Sequence, residues 1–201
     1  MGIDLGIKDL AVCSDGRVYK NINKTATVKR LEKKKRRLQR KISRKYQMNK
    51  EGSRYKKIRS IIKSEKQLLK VSRRITNIRH NYIHQITSEI VNRKPMFIVL
   101  EDLNVKGMMK NKHLAKAVQQ QRFHEFRRQI EYKSNWNNIL FILADRWFPS
   151  SKLCSKCGEI KKDLKLSDRT FKCECGNVID RDYQASINLK RYGENVIQSA
   201  V

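Results

Sequence analysis

The pattern of apolar and polar positions opens as short strands. Gly2–Leu5 stops at Gly6, Leu10–Ser14 stops at the turn Asp15–Gly16, and Arg17–Asn21 returns, with Asp-Gly as a strong hairpin signal. From Val28 the period becomes helical. Val28, Leu31, Leu38 and Ile42 form a thin apolar stripe on a first helix. After a break near Asn49–Ser53, Ile58, Ile61, Leu68, Ile75, Tyr82 and Ile86 recur at helical spacing over about Tyr55–Val91. A helix of ~37 residues would run roughly 55 Å, so the two predict a long antiparallel hairpin with an apolar seam. Beyond Pro95 the run Met96–Leu100 predicts a buried strand, and Asn104–Met109 a loop with Gly107 as its hinge. One amphipathic helix is expected over His113–Trp136, turning Leu114, Ala117, Val118, Phe123, Phe126 and Ile130 inward. Ile139–Ala144 reads as another strand, with Trp147 and Phe148 read as core or zinc-ribbon packing rather than base-stacking platforms. A short strand over Asn177–Ile179 then gives way to a helix over Tyr183–Arg191. Strands and helices in this order place the chain in the α/β class.

Charge changes the picture. The 201 residues hold 47 Lys and Arg against 19 Asp and Glu, a net charge of +28. Most of the excess sits on the predicted hairpin: Lys20–His80 carries 24 Lys and Arg and 3 Asp and Glu. A surface so one-sided repels itself without a polyanion, which makes nucleic acid the expected partner. Lys33, Lys34, Arg36, Arg37, Arg40, Lys56, Lys57, Arg73 and Arg74 are the positions expected to track phosphates, without sequence information. No apolar run approaches the ~20 residues that span a bilayer, and the cations do not alternate with a strong aromatic and leucine face, so no membrane is expected.

Candidate chemistry lies in two sets. Cys154-Ser-Lys-Cys157-Gly158 and Cys173-Glu-Cys175-Gly176 are two close pairs, each followed by a glycine where the backbone turns sharply. Four thiolates suit the closed tetrahedron of a structural Zn²⁺, here a zinc ribbon over 150–179; two disulfides, or four unrelated thiols, are the alternatives. No signal peptide precedes the cysteines, and the expected location is the reducing cytoplasm, which favours metal. Cys13 reads as a small buried thiol. The second set is acidic. Asp4 lies between Ile3 and Leu5, Glu101 follows the Met96–Leu100 strand, and Asp182 opens the last helix beside Asp180. Each has a plain alternative: an edge-strand Asp facing water, or a helix cap. Together, three carboxylates at element ends are what paired Mg²⁺ or Mn²⁺ ions need to act on a phosphodiester.

The motifs Gly-Ile-Asp-Leu-Gly at 2–6, Ile-Val-Leu-Glu-Asp-Leu at 98–103, the two cysteine pairs, and Asp-Arg-Asp-Tyr-Gln-Ala-Ser-Ile-Asn-Leu at 180–189 carry a resemblance over essentially the whole chain. The sequence resembles the TnpB (OrfB) proteins of insertion sequences and the nuclease half of the compact type V CRISPR nucleases. That resemblance implies an RNase H-like (RuvC) nuclease fold with an inserted basic helical hairpin and a zinc ribbon. It implies Asp4, Glu101 and Asp182 as catalytic residues holding Mg²⁺ or Mn²⁺, with Asp180 second to Asp182, and Cys154, Cys157, Cys173 and Cys175 as zinc ligands. The expected divisions are first RuvC-like strands at 1–27, hairpin at 28–93, core continued at 94–149, ribbon at 150–179, and third acidic segment with final helix at 180–201. DNA and a guide RNA are the implied partners, with RNA guidance in the full-length family.

Three departures stand out. Gln184 takes the place of the usual Asn and is expected to alter a hydrogen bond beside the metals; the second knuckle is C-x-C; and the family's upstream half does not precede Met1. The last predicts a truncated fragment or one that works with a separate N-terminal subunit. A second reading is a non-catalytic fragment that holds DNA or RNA.

Overall fold

In this computed structural model residues 1–165 and 168–199 are described. The chain runs β1 (Gly2–Leu5), β2 (Asp9–Cys13), β3 (Val18–Lys20), α1 (Ala26–Met48), β4 (Lys50–Glu51), β5 (Arg54–Tyr55), α2 (Arg59–Asn92), β6 (Phe97–Glu101), α3 (Val105–Lys110), α4 (Ala115–Gln121), α5 (Phe123–Trp136), β7 (Leu140–Ala144), β8 (Thr170–Lys172), β9 (Val178–Asp180) and α6 (Arg181–Gln198). Two compact units result, one from Met1–Asn21 with Ile83–Val201 and one from Ile22–Tyr82.

In the first unit, five strands form a sheet of order β3-β2-β1-β6-β7. β1 is antiparallel to β2, while β1, β6 and β7 run parallel, Ile3 beside Leu100 and Leu100 beside Leu143. Phe97, Ile98, Val99 and Leu100 are all buried, as a near-continuous apolar run requires when a central parallel strand is covered on both faces. The thiol of Cys13 is buried in β2, and burial pushes its pKa up to about 12.

α6 lies unusually close over one face. A Cβ at Gly2 would overlap the backbone of Ser186 and Lys190, and one at Gly193 would come within 2.5 Å of Val99 Cγ2. Phe97, Val99, Ala144 and Leu189 make the apolar cluster beneath it, with the rings of Phe148 and Tyr192 meeting at a tilt of 59° at its margin. Strand alternation therefore turns Gly2, Asp4, Val99 and Glu101 toward α6.

In the second unit α1 and α2 pack antiparallel. Leu31 and Leu38 cluster with Val71 and Ile75, while Lys45 Nζ donates to Ser60 O at 3.0 Å. Arg79 sits inside the seam, donating to Glu32 at 2.9 Å and to Asn23 at 2.7 Å, so this cation is structural. No helix among the described residues is long and apolar enough to cross a membrane.

Several expected boundaries move. Asn104–Met109 is no loop: the Asn104 side chain accepts from Gly107 N–H at 2.9 Å and caps α3, which makes Gly107 a helix residue. The single helix expected over His113–Trp136 splits into α4 and α5 at Arg122, whose φ of 55° breaks the α-helical run. Tyr55 belongs to β5, and α6 continues to Gln198. Trp147 is 85% exposed and packs in neither core nor ribbon.

Gly2→Ala is expected to destabilise the fold by about 3 kcal/mol, the upper range for forcing atoms into a packed core, because its overlap is with backbone that cannot rotate away. Gly193→Ala should cost less: the side chains it meets can shift, and Ala gains about 1 kcal/mol of helix propensity over Gly. Denaturant titration of both variants measures the difference.

Candidate functional site

Parallel pairing of Gly2 with Val99 and of Ile3 with Leu100 brings Asp4 beside Glu101 one step further along both strands. α6 runs over the same face, and Asp182 lies one turn before Ser186, at the end toward these acids. Asp180 is its N-cap, accepting from the N–H groups of Asp182 and Tyr183 at 3.0 and 3.1 Å. That role occupies Asp180 and leaves the Asp182 carboxylate in the first turn, where the helix dipole favours an anion. Asp102 is engaged elsewhere, between Arg127 at 3.0 Å and Arg146.

The electrostatics follow from this arrangement. Burial holds the Asp4 carboxyl well above the ordinary carboxylate range, and the negative charges of Glu101, Asp182 and Asp180 push it further, against the pull of Arg181. Glu101 is raised too, by burial first; a hydrogen bond from Ser150 opposes the shift and the Asp102 charge adds to it. The three acids thus form a group at the C-terminal ends of β1 and β6 and the start of α6, in which Asp4 feels the charges of the other two. Its oxygen-only donor set suits a hard cation, which would relieve the repulsion. Among the described residues, however, these carboxylates do not close up as tightly as the cysteines do. Beside Glu101 a pocket of about 490 Å³ is lined by Leu103, Phe123, His124, Arg127 and Arg146.

Cys154, Cys157, Cys173 and Cys175 place their sulfurs all within 4.8 Å of one another. The Cys154–Cys175 and Cys157–Cys173 separations are 3.7 and 3.6 Å, far beyond the ~2.05 Å of a disulfide bond. A tetrahedron with Zn–S bonds of about 2.3 Å has edges near 3.8 Å, so this donor set fits zinc. Gly158 and Gly176, at φ of 81° and 80°, turn the two knuckles. Burial opposes the Cys154 thiolate, but the N–H groups of Cys157 and Lys156 and the Asn177 amide outweigh it and lower its pKa to about 6. Backbone N–H groups of Glu159, Cys175 and Asn177 likewise favour thiolate at Cys157, Cys173 and Cys175 respectively. There, burial and the crowded neighbouring sulfurs prevail, and all three pKa values are raised.

Gln184 lies on the part of α6 that meets the ribbon. It is buried and reaches the ribbon, accepting from Ser155 Oγ at 2.7 Å and donating to Leu153 O at 2.7 Å. Asn188, one turn later, donates to Ser150 O and Leu153 O at 2.8 and 2.6 Å. Sequence reasoning missed this seam, although two amides four residues apart on an otherwise small-residue helix face were its signal. Of the basic positions, Lys33, Lys34, Arg36, Arg37, Arg40, Lys56, Lys57, Arg73 and Arg74 are all exposed. Lys57 is engaged by Glu65 at 2.8 Å, and Lys56 lies 3.4 Å from Glu51.

Comparison with known proteins fits this arrangement. Residues 1–112 match the OrfB_IS605 family, described as "Probable transposase", and residues 123–189 match the Cas12f1-like TNB domain. A protein of Streptomyces pristinaespiralis described as "Putative RNA-guided DNA endonuclease" is 36% identical over 194 residues, which cover 96% of this chain and 45% of that protein. InsQ of Escherichia coli K12, given the same description, is 28% identical over 213 residues, covering 98% of this chain and 50% of that one. The chain spans about half the length of these curated relatives. The cryo-EM structure of a CRISPR-Cas12f ternary complex matches with a TM-score of 0.70 at 21% identity, over 94% of this chain and 37% of that chain. That of a Cas12f1-sgRNA-target DNA complex matches at 0.61 and 19%, over 94% and 48%. The mixed α/β fold is thus the one seen in Cas12f, and the chain belongs to the OrfB_IS605 family, the TnpB-like transposase proteins of insertion sequences.

Proposed function

We propose that this chain is an RNase H-like (RuvC-type) nuclease module that hydrolyses DNA phosphodiester bonds at Asp4, Glu101 and Asp182, and that it works with a guide RNA as its relatives' descriptions state for them. The observation that carries the reading is that Asp4 and Glu101 lie side by side on paired strands under the start of α6, where burial first, and then the charges of Glu101 and Asp182, raise the Asp4 carboxyl. Acids that served only as caps or surface groups would have no reason to share one face. Asp4 and Glu101 supply rigid strand-borne oxygens, and Asp182 adds a third from the α6 N-terminus. Asp180 fixes that helix start, and Arg127 and Arg146 hold Asp102 aside. Mg²⁺ or Mn²⁺ bound to these carboxylates would supply water activation and charge neutralisation at the leaving oxygen. The exposed cations of α1 and α2 hold phosphates, and Zn²⁺ on the four cysteines fixes the ribbon against α6. The exposed Lys and Arg of α1 and α2 also support a second reading, a module that holds nucleic acid without cutting it.

Four cysteines at tetrahedral spacing lead to an expected stoichiometry of about one zinc per chain by elemental analysis. Cys154→Ser should lose the metal and lower the melting temperature, since zinc binding is folding free energy at such a site. Folded protein without zinc would remove the ribbon assignment.

The acids decide between cutting and holding. Asp4→Asn should reduce divalent-dependent cleavage of DNA to background while leaving fold and binding intact; equal cleavage by the variant would sink the nuclease reading. A carboxyl whose folded pKa exceeds its unfolded value binds more protons when folded, so its contribution to stability falls as pH rises through and above the ordinary carboxylate range. Metal-free Asp4→Asn should therefore melt higher than the parent at neutral pH, and the gain should vanish below about pH 4, where Asp is protonated in both states. Mg²⁺ should raise the parent's melting temperature more than the variant's.

Phosphate contacts release counterions, so affinity for duplex DNA should fall steeply with salt. Replacing Lys33, Lys34, Arg36 and Arg37 with Gln should flatten the log affinity against log salt slope by as much as about 3.6, at ~0.9 per lost contact. An unchanged slope would mean that α1 is no phosphate track.

A further inference from the structure

Residues 49–58 join α1 to α2 with more structure than a reversal of the chain needs. β4 and β5 pair antiparallel, Lys50 opposite Tyr55 and Glu51 opposite Arg54, across Gly52 at φ 59° and Ser53. The Tyr55 ring meets Tyr46 edge-on, with centroids 6.0 Å apart and planes at 86°. Tyr46 is itself pinned: its hydroxyl donates to Glu65 at 2.7 Å, and Lys57 Nζ holds the same carboxylate at 2.8 Å. Lys56 N–H donates to Asn49 O at 2.9 Å, closing the base of the small hairpin. The tip is braced from below.

Its outer surface presents an aromatic ring and a thioether. Met48 is 83% exposed and Tyr55 49% exposed. Around them stand Arg44, Lys45, Lys50, Arg54, Lys56 and Lys57, with Lys50 Nζ 6.0 Å from the centre of the Tyr55 ring. The nearby acids are already engaged, Glu65 with Lys57 and Tyr46, and Glu51 with Lys56. A shallow cleft lined by Arg37, Arg40, Lys41, Arg44 and Lys45 runs along α1 up to this end. An aromatic face and an adaptable thioether, with cations around them at the end of a basic cleft, match an unpaired nucleobase and its flanking phosphates. Charge argues against a second copy as the occupant. Lys20–His80 carries 24 Lys and Arg against 3 Asp and Glu, so two such tips repel.

We infer that the tip is a base-stacking site, in which Tyr55 stacks on an unpaired nucleobase, Met48 offers a second apolar contact, and Arg40 and Arg44 hold the adjoining phosphates. It rests on the nucleic-acid half of the reading above and not on cleavage. The two basic helices alone would hold a backbone anywhere along their length. A stacking site at one end gives the strand a register.

The experiment titrates the full chain into a single-stranded DNA oligonucleotide carrying 2-aminopurine, over a series of salt concentrations. Binding by the parent should change the probe's fluorescence as its base stacks. Tyr55→Ala and Met48→Ala, each verified as folded by its melting curve, should weaken binding, Tyr55→Ala by about tenfold, within the range one stacked base contributes. Both should diminish the fluorescence change yet leave the salt slope unaltered, because no phosphate contact is lost. Tyr55→Phe should bind like the parent. Unchanged affinity and fluorescence in Tyr55→Ala would overturn the inference. So would an equal loss in Tyr55→Phe, which would assign the hydroxyl rather than the ring, or a dimer in sedimentation that Tyr55→Ala disrupts. A parent that binds no oligonucleotide would remove both this site and the nucleic-acid reading. Ring-dependent binding by a chain that cuts nothing would support this site while removing the nuclease reading.

Discussion

The close approach of α6 to β1 is the constraint on which the candidate site depends. Gly2 has no Cβ, so the backbone of Ser186 and Lys190 can lie directly on the first strand. Gly193 grants the same closeness over Val99, three turns from the start of the helix. With both contacts fixed, the first turn of α6 has little freedom, and Asp182 lies toward Asp4 and Glu101. Packing at one end of the helix imposes repulsion at the other. Burial of apolar area under α6, through Phe97, Val99 and Leu189, offsets the cost of gathering like charges.

The same helix also organises the ribbon. Gln184 and Asn188 project from α6 to the chain just before and within the first knuckle, where their amides satisfy Ser155 Oγ and the carbonyls of Ser150 and Leu153. Ser150 in turn hydrogen-bonds Glu101. A continuous run of polar contacts therefore links the cysteine site, α6 and one of the acids. Loss of order in the ribbon would be felt at Glu101 through Ser150, without any direct contact between the metal-binding sulfurs and the acidic group.

The helical unit is built on a different principle. Its seam is thin, a single line of Leu31, Leu38, Val71 and Ile75 helped by the Arg79–Glu32 pair. Its outside is almost wholly cationic. So narrow a core leaves little stability to spare for close-set like charges, and polyanion binding would relieve that repulsion. Beyond the buried Ile42 and Ile61, braced contacts at the tip, where Tyr46, Glu65, Lys57 and Tyr55 interlock, hold the far end together.

Much of this was legible along the chain because it is encoded in local chemistry. The period of apolar residues gave the strands and long helices, a Cys pair followed by Gly gave each knuckle, and the charge imbalance of Lys20–His80 needed no structure to be read. What the sequence could not decide were choices between near-equal local conformations and choices made by partners distant along the chain. Asn104 as a cap for α3 and Arg122 in a left-handed break differ little, as sequence, from a loop and a continuous helix; the local hydrogen bond and the fit of α4 and α5 onto the sheet select between them. The position of Gln184 looked like part of an acidic motif, and only the approach of the ribbon showed that its amide serves the first knuckle. Trp147, large and apolar, promised burial that the margin of the sheet does not offer. The motifs marked Asp4, Glu101 and Asp182 as candidates, but whether carboxylates 97 and 81 residues apart share one face depends on sheet register and on two glycines. Those are properties of strands meeting a helix, and no single stretch of the chain contains them.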